Sequence, residues 1–176
     1  MRFKRNINEA TLHVRSINGD LLIVSLYVDD LLITGSNISF VKEFKKKMQN
    51  VFEMTDLRRM SYFLGMEAHQ FEEGTFKNQE KYAKEILRKF GMENCKAADA
   101  PLAQNKKLRK EDGSNKVDAG IYRSLIGGLL YLSATRPDIM FATSLLSRFM
   151  QAPSEIPFKA AKRVLRYVRG TTNLGV

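Results

Sequence analysis

Leu21-Leu22-Ile23-Val24-Ser25-Leu26-Tyr27-Val28-Asp29-Asp30-Leu31-Leu32-Ile33-Thr34-Gly35 decides how this chain is read. Two adjacent acids interrupt an apolar, β-prone run. Burying one unpaired carboxylate is costly, and two neighbouring ones also repel each other. No Lys or Arg lies between Asp20 and Lys42 to neutralise them locally. The least costly arrangement is a hairpin with arms Leu21–Val28 and Leu31–Gly35, its tip carrying the acids into a solvated cleft. Both arms are apolar enough to be central strands. A divalent cation is one reason to keep two acids there, because Mg²⁺ prefers hard carboxylate oxygens. An ordinary surface turn is the other reading, since Asp is common at turns.

Working outward, Thr11–Ile17 alternates and predicts a strand, and Asn18-Gly19 is a two-residue turn signal. Three strands therefore form a meander. Phe40, Val41, Phe44, Met48 and Val51 make a helical stripe over Phe40–Phe52. Its other face holds Lys42, Lys45, Lys46 and Lys47, suited to water or to backbone phosphates. Tyr62–Phe71 and Thr75–Asn78 flank Glu73-Gly74 and predict a second hairpin. From Gln79 the pattern turns helical: Tyr82, Ala83, Ile86, Leu87 and Phe90 share a face, and Gly91 suits a helix end. Residues 98–120 are polar and predict a connector. Three helices follow, near 121–134, 138–150 and 158–169, with Pro137 and Pro157 suited to helix starts. The fold class expected is α+β: an antiparallel sheet part over 1–78 and a helical lobe over 79–176.

Net charge is +10, from 29 Lys and Arg against 19 Asp and Glu, which favours a polyanionic partner such as nucleic acid. A hydrophobic content of 44% argues for a folded globule. Cys95 is the single cysteine, so neither an intramolecular disulfide nor a Cys-based zinc site can form. His13 and His69 do not form a ligand cluster. No apolar signal core follows Met1-Arg2-Phe3-Lys4-Arg5, and the apolar run at Leu21–Val28 is too short to cross a bilayer. A soluble protein in a reducing compartment, with no membrane partner, is expected.

Tyr27-Val28-Asp29-Asp30 between two such strands resembles the catalytic hairpin of reverse transcriptases, and Leu26 to Gly35 resembles that of copia-type long-terminal-repeat retrotransposons. Further blocks follow in the family's order. They are Asp56-Leu57, Tyr62-Phe63-Leu64-Gly65-Met66-Glu67, Lys81-Tyr82-Ala83 through Phe90-Gly91-Met92, Tyr122-Arg123-Ser124-Leu125-Ile126-Gly127 through Thr135-Arg136-Pro137-Asp138-Ile139, Leu146–Met150 and Ala160–Tyr167. The resemblance covers nearly everything from Leu21 to the end. It implies a C-terminal part of a polymerase palm followed by a thumb. Asp29 and Asp30 would be catalytic carboxylates and ligands to Mg²⁺, two ions in the complete site. Tyr27 and Val28 would support primer and template, and Phe63, Leu64, Gly65 and Met66 would form the primer grip. Gly65, read as a strand residue, would admit close approach of a ligand or mark a bend.

Arg123, Gly127 and Tyr131 recur every four residues and share one face of a helix. The resemblance makes that face track a duplex minor groove. Tight packing of Gly127-Gly128 against the helix at 138–150 is the alternative. Arg136-Pro137-Asp138 suits a helix start. Lys162, Arg163, Arg166 and Arg169 give the last helix a basic face, suited to phosphates or to water. The implied partners are an RNA/DNA primer–template duplex, dNTP in the complete enzyme, and the fingers, remaining palm and ribonuclease H parts of a polyprotein. The implied location is cytoplasmic, within a virus-like particle, or nuclear. The family's further palm aspartate has no counterpart, because Glu9 and Asp20 are the acids before Leu21 and neither has its context. Other departures are Leu57-Arg58, Lys77-Asn78-Gln79, Ala100-Pro101 and Pro157. A catalytically silent, basic nucleic-acid-binding remnant is the competing reading.

Overall fold

The computed structural model describes residues 3–103, 108, 109 and 112–176. They fall into two compact units, residues up to Met60 and residues from Ser61 on. The second hairpin thus belongs with the helices. Together the units are α+β, with antiparallel sheets and five helices.

The first unit is a four-stranded antiparallel sheet in the order β1-β2-β3-β4 with one helix. β1 is Lys4–Arg5, β2 Leu12–Ile17, β3 Asp20–Tyr27 and β4 Asp30–Gly35. The meander is as expected; β1 is additional, too short to leave an alternation. Asn18 and Gly19 both have positive φ, as the two-residue turn requires. α1, Ile38–Val51, is capped by the Asn37 side chain, which accepts from Ser39 N–H. Phe44 packs on Leu22 and Val24, flanked by Phe3, Leu31, Ile33, Val41 and Met48. Gly35 lets β3 and α1 come close, for a Cβ there would sit 2.6 Å from the Leu21 carbonyl and 3.3 Å from Val41 Cγ2. The predicted lysine face of α1 is partly tied locally, with Lys45 bound to Asp56 at 2.9 Å and Lys47 to Glu43 at 2.5 Å.

The second unit starts with a three-stranded antiparallel sheet, β5 Tyr62–Phe63, β6 Met66–Gln70 and β7 Thr75–Asn78. The strand expected at Tyr62–Phe71 is therefore two strands. Leu64 and Gly65 lie at φ 49° and 75°, so the chain reverses there, and Gly65 is a turn residue rather than a strand residue. Four helices follow: α2 Glu80–Lys89, α3 Ala119–Leu132, α4 Pro137–Ser147 and α5 Glu155–Gly170. Their core gathers Ile86, Leu125, Ile126, Leu129, Ile139, Leu146, Val164 and Leu165, nearly all fully buried. α5 starts earlier than predicted, at Glu155. Pro157 lies within its first turn, where the missing N–H costs nothing.

Two devices hold this unit together that the sequence pattern did not display. The C-terminal residues run along β7: Val176 N–H donates to the Lys77 carbonyl at 2.9 Å, and Lys77 N–H donates back at 2.6 Å. A Cβ on Gly175 would collide with that carbonyl, so glycine is required there. The segment from α2 into the connector is anchored too. Arg163, Arg166 and Arg169 donate through Nε to the carbonyls of Ala100, Lys96 and Glu93. Asp112 accepts from Ser114 and Ser154, which holds its carboxyl down at about 2. Connector residues 104–107, 110 and 111 lie outside the described residues.

Candidate catalytic hairpin and nucleic-acid interface

In the first unit, Tyr27 pairs with Asp30 and the two-residue turn Val28-Asp29 closes the hairpin. The four residues the sequence singled out thus occupy one exposed tip, as its charge pattern requires. Val28 has φ 49° and is 80% exposed. A β-branched side chain is strained there, and one so exposed gains little from packing in return. Replacing it with Asn, which tolerates positive φ, should raise the stability of this unit by about 1 kcal/mol. Chemical denaturation would detect the gain.

The remaining acids of the N-terminal stretch have structural partners. Asp20 accepts from Ser36 Oγ and Asn37 Nδ2, both at 2.9 Å. Glu9 accepts from the Thr11 hydroxyl at 2.7 Å, which lowers its pKa. Among the described residues no group of three or more His, Cys, Asp or Glu is placed to hold a metal. Asp29 and Asp30 have the right donor chemistry for Mg²⁺, which takes six oxygen ligands. The pair would supply two carboxylates of such a set.

In the second unit the structure brings together Leu64, Gly65 and Tyr131. The Tyr131 hydroxyl donates to the Leu64 carbonyl, and a Cβ on Gly65 would collide with that hydroxyl. The close approach expected at Gly65 is thus made by the chain itself. Tyr82 packs edge-on against Tyr131 with ring centroids 4.7 Å apart. Burial, then the neighbouring Tyr131 and Glu85, push the Tyr82 hydroxyl above its ordinary pKa. Phe63 and Met66 pair across the turn as the last residue of β5 and the first of β6.

Arg123, Gly127 and Tyr131 are all exposed on α3, while Tyr122, Leu125, Ile126 and Leu129 face the core. The two glycines separate here. Gly128 packs on α2, where a Cβ would collide with Ile86 Cδ1; the partner is not α4. Around Gly127 no atom of the described residues, its chain neighbours and own helix backbone apart, lies within 4 Å of where a Cβ would sit. Helix packing explains Gly128 and leaves Gly127 unexplained. Tyr82, absent from the expected set, had its signal in the α2 pattern, where it reads as a core residue.

A profile described as reverse transcriptase (RNA-dependent DNA polymerase) matches residues 1–104, and the chain belongs to that family. Its relatives place it among copia-type retrotransposon sequences. It is 34% identical over 174 residues to the retrovirus-related Pol polyprotein from transposon RE1 of Arabidopsis thaliana, covering 99% of this chain. It is 35% identical over 168 residues, 90% of this chain, to the corresponding polyprotein from transposon TNT 1-94 of Nicotiana tabacum. An uncharacterized mitochondrial protein of Arabidopsis thaliana is 40% identical over 147 residues, 83% of this chain and 60% of that protein. The chain spans 12% of the RE1 polyprotein and 13% of the TNT 1-94 polyprotein. No solved structure matches. No helix among the described residues is long and apolar enough to cross a membrane.

Proposed function

We propose that this chain is the part of an RNA-directed DNA polymerase that carries the metal-binding acid hairpin and a surface for the primer–template duplex. In this reading residues 1–78 are palm and residues 79–176 thumb. Asp29 and Asp30 hold Mg²⁺ together with an aspartate from elsewhere in the palm, and Tyr27 and Val28 lie under primer and template. Bound there, Mg²⁺ would activate a primer 3′-hydroxyl and stabilise the leaving pyrophosphate. Fingers, dNTP-binding residues and ribonuclease H would come from other parts of a polyprotein. Cytoplasmic virus-like particles or the nucleus are the settings such a polymerase would work in.

The observation that carries the duplex-binding half is Gly127. A helix-interior glycine costs about 1 kcal/mol relative to alanine, and no neighbour among the described residues requires one here. A duplex backbone lying against Arg123, Gly127 and Tyr131 would require it, beside the turn formed by Phe63, Leu64, Gly65 and Met66. Gly127→Ala should therefore raise thermal stability, by up to about 1 kcal/mol, while weakening duplex binding about tenfold. A variant that loses stability and binds normally would refute this. The paired acids without a third favour a binding role for the chain by itself. With Mg²⁺ and dNTPs the chain alone should bind primer–template and extend no primer. Robust extension that disappears in Asp29→Asn would reveal a complete catalytic centre instead. The tip's exposure further predicts that replacing both acids with Asn leaves stability unchanged or raised, and abolishes any Mg²⁺ response.

A further inference from the structure

α5 carries Lys159, Lys162, Arg163, Arg166 and Arg169 against the single acid Glu155. Lys159 is bound to Glu155 at 2.7 Å, and Lys162 lies over the Phe158 ring at 4.7 Å. The three arginines behave differently. Each donates through Nε to a backbone carbonyl of the segment running antiparallel to α5: Arg163 to Ala100 at 3.2 Å, Arg166 to Lys96 at 2.8 Å, Arg169 to Glu93 at 2.5 Å. The segment is pressed close, with Ala98 N–H donating to the Arg166 carbonyl and a Cβ on Gly170 reaching 3.0 Å from Ala97.

A guanidinium has five N–H donors, and a carbonyl bond through Nε uses one. Among the described residues the four donors on the Nη edge of each arginine take no further hydrogen bond, and the Nε bond orients them at little further entropic cost. The carbonyls are neutral, and none of the three arginines is ion-paired with a carboxylate among the described residues. Three oriented, uncompensated forks thus repeat at three-residue intervals. From Arg163 to Arg169 the helix rises about 9 Å. That is roughly the axial span of two to three phosphates on one strand of a duplex, at about 3.4 Å each. Planar forks suit phosphate oxygens bidentately.

We propose that Arg163, Arg166 and Arg169 form a second nucleic-acid contact, a row of guanidiniums on α5 that grips successive backbone phosphates, separate from the exposed stripe of α3. The carbonyl bonds serve as its scaffold. They turn an ordinary basic helix face into one with preset geometry. The contact reads no sequence, since phosphates carry none.

The test is binding of the whole chain to a short DNA duplex across a salt series, compared with Arg163→Gln/Arg166→Gln/Arg169→Gln and with the same three positions changed to Lys. Both triple variants lose the Nε scaffold, so both should melt lower than the wild type. The Gln variant should also lose up to about 2.7 units of log–log salt slope, at about 0.9 per phosphate, whereas the Lys variant keeps most of it. An unchanged slope in the Gln variant overturns the proposal. So does a Lys variant that binds the duplex as tightly as the wild type at every salt concentration, because bare charge without the scaffolded forks would then suffice. Should the triple variants fail to fold, Arg169→Gln alone, at an exposed position, should reduce the slope by about 0.9, and no reduction there overturns the proposal. A wild-type chain that binds no duplex would refute the proposed function as well. Wild-type binding with an unchanged Gln slope refutes only this contact.

Discussion

Arg136→Ala should lower the stability of the second unit by about 3 kcal/mol, seen as a fall in Tm of about 10 °C. Arg136 is 1% exposed and stands in the turn between α3 and α4. Its Nε and Nη2 donate to the two Asp138 carboxylate oxygens at 2.9 and 2.7 Å. Its Nη1 and Nη2 donate to the Thr171 carbonyl and hydroxyl, both at 2.7 Å. The Tyr167 ring lies 5.7 Å from the guanidinium. One side chain thus ties the start of α4 to the end of α5. Removing it leaves the half-buried Asp138 carboxylate with the Tyr167 hydroxyl but without its guanidinium, and takes a donor from the Thr171 carbonyl. Removing one partner of a buried pair costs about 3–5 kcal/mol; the lower end applies because the Asp138 side chain is 30% exposed. Arg136→Lys should recover little, since an ammonium cannot reproduce the bidentate fork. Asp138→Ala should cost at least as much, because it strands the more deeply buried charge. The double variant should cost less than the sum of the singles. An additive result would mean the pair contributes nothing as a pair.

The same cluster sets a pH dependence. Burial alone would raise the Asp138 carboxyl, but hydrogen bonds from Arg136 and Tyr167 and the guanidinium charge outweigh it and hold it below its ordinary value. A carboxyl depressed in the folded state contributes stability that is fully present above its unfolded pKa. That contribution is lost as pH falls through the lower folded value. Acid denaturation of Asp138→Asn should therefore show a weaker pH dependence than wild type below the ordinary carboxylate range.

What could be read from the sequence was local. Alternation, the Asn18-Gly19 turn, the apolar faces of α1 and α2, and the proline at the start of α4 gave the order and type of nearly every element. The acid hairpin was legible because two charges inside an apolar run have few places to go. The supports of the site were not legible, since their partners lie far apart in the chain. Tyr131 reaches Leu64 across 67 positions, and Arg169 reaches Glu93 across 76. Periodicity places a residue on a helix face but does not name what that face meets. The reversal at Leu64-Gly65 was missed for a different reason. Leucine at positive φ is contrary to turn chemistry, and a run such as Tyr62–Phe71 is as apolar and β-prone as one continuous strand.

Gly65→Ala should destabilise the second unit by about 2–3 kcal/mol and weaken duplex binding with it. Two costs combine. Alanine at φ 75° is disfavoured by about 1–2 kcal/mol. Its Cβ also collides with the Tyr131 hydroxyl, which must withdraw and give up its bond to the Leu64 carbonyl, worth about 1 kcal/mol. Tyr131→Phe removes only the second interaction and should cost about 1 kcal/mol by itself. Because the two substitutions break the same bond, they should couple: in the Gly65→Ala background, Tyr131→Phe should cost almost nothing, and loss of the hydroxyl should relieve most of the collision. Full additivity in a denaturation cycle would show that the hydroxyl does not hold the turn. Binding separates the turn from the helix face. If the turn acts on the duplex through the position that Tyr131 gives it, Tyr131→Phe should reduce affinity even though its ring and the exposed stripe of α3 remain. An affinity unchanged in Tyr131→Phe but lowered by Gly127→Ala would leave α3 as the binding surface and the Leu64-Gly65 turn as a purely structural reversal.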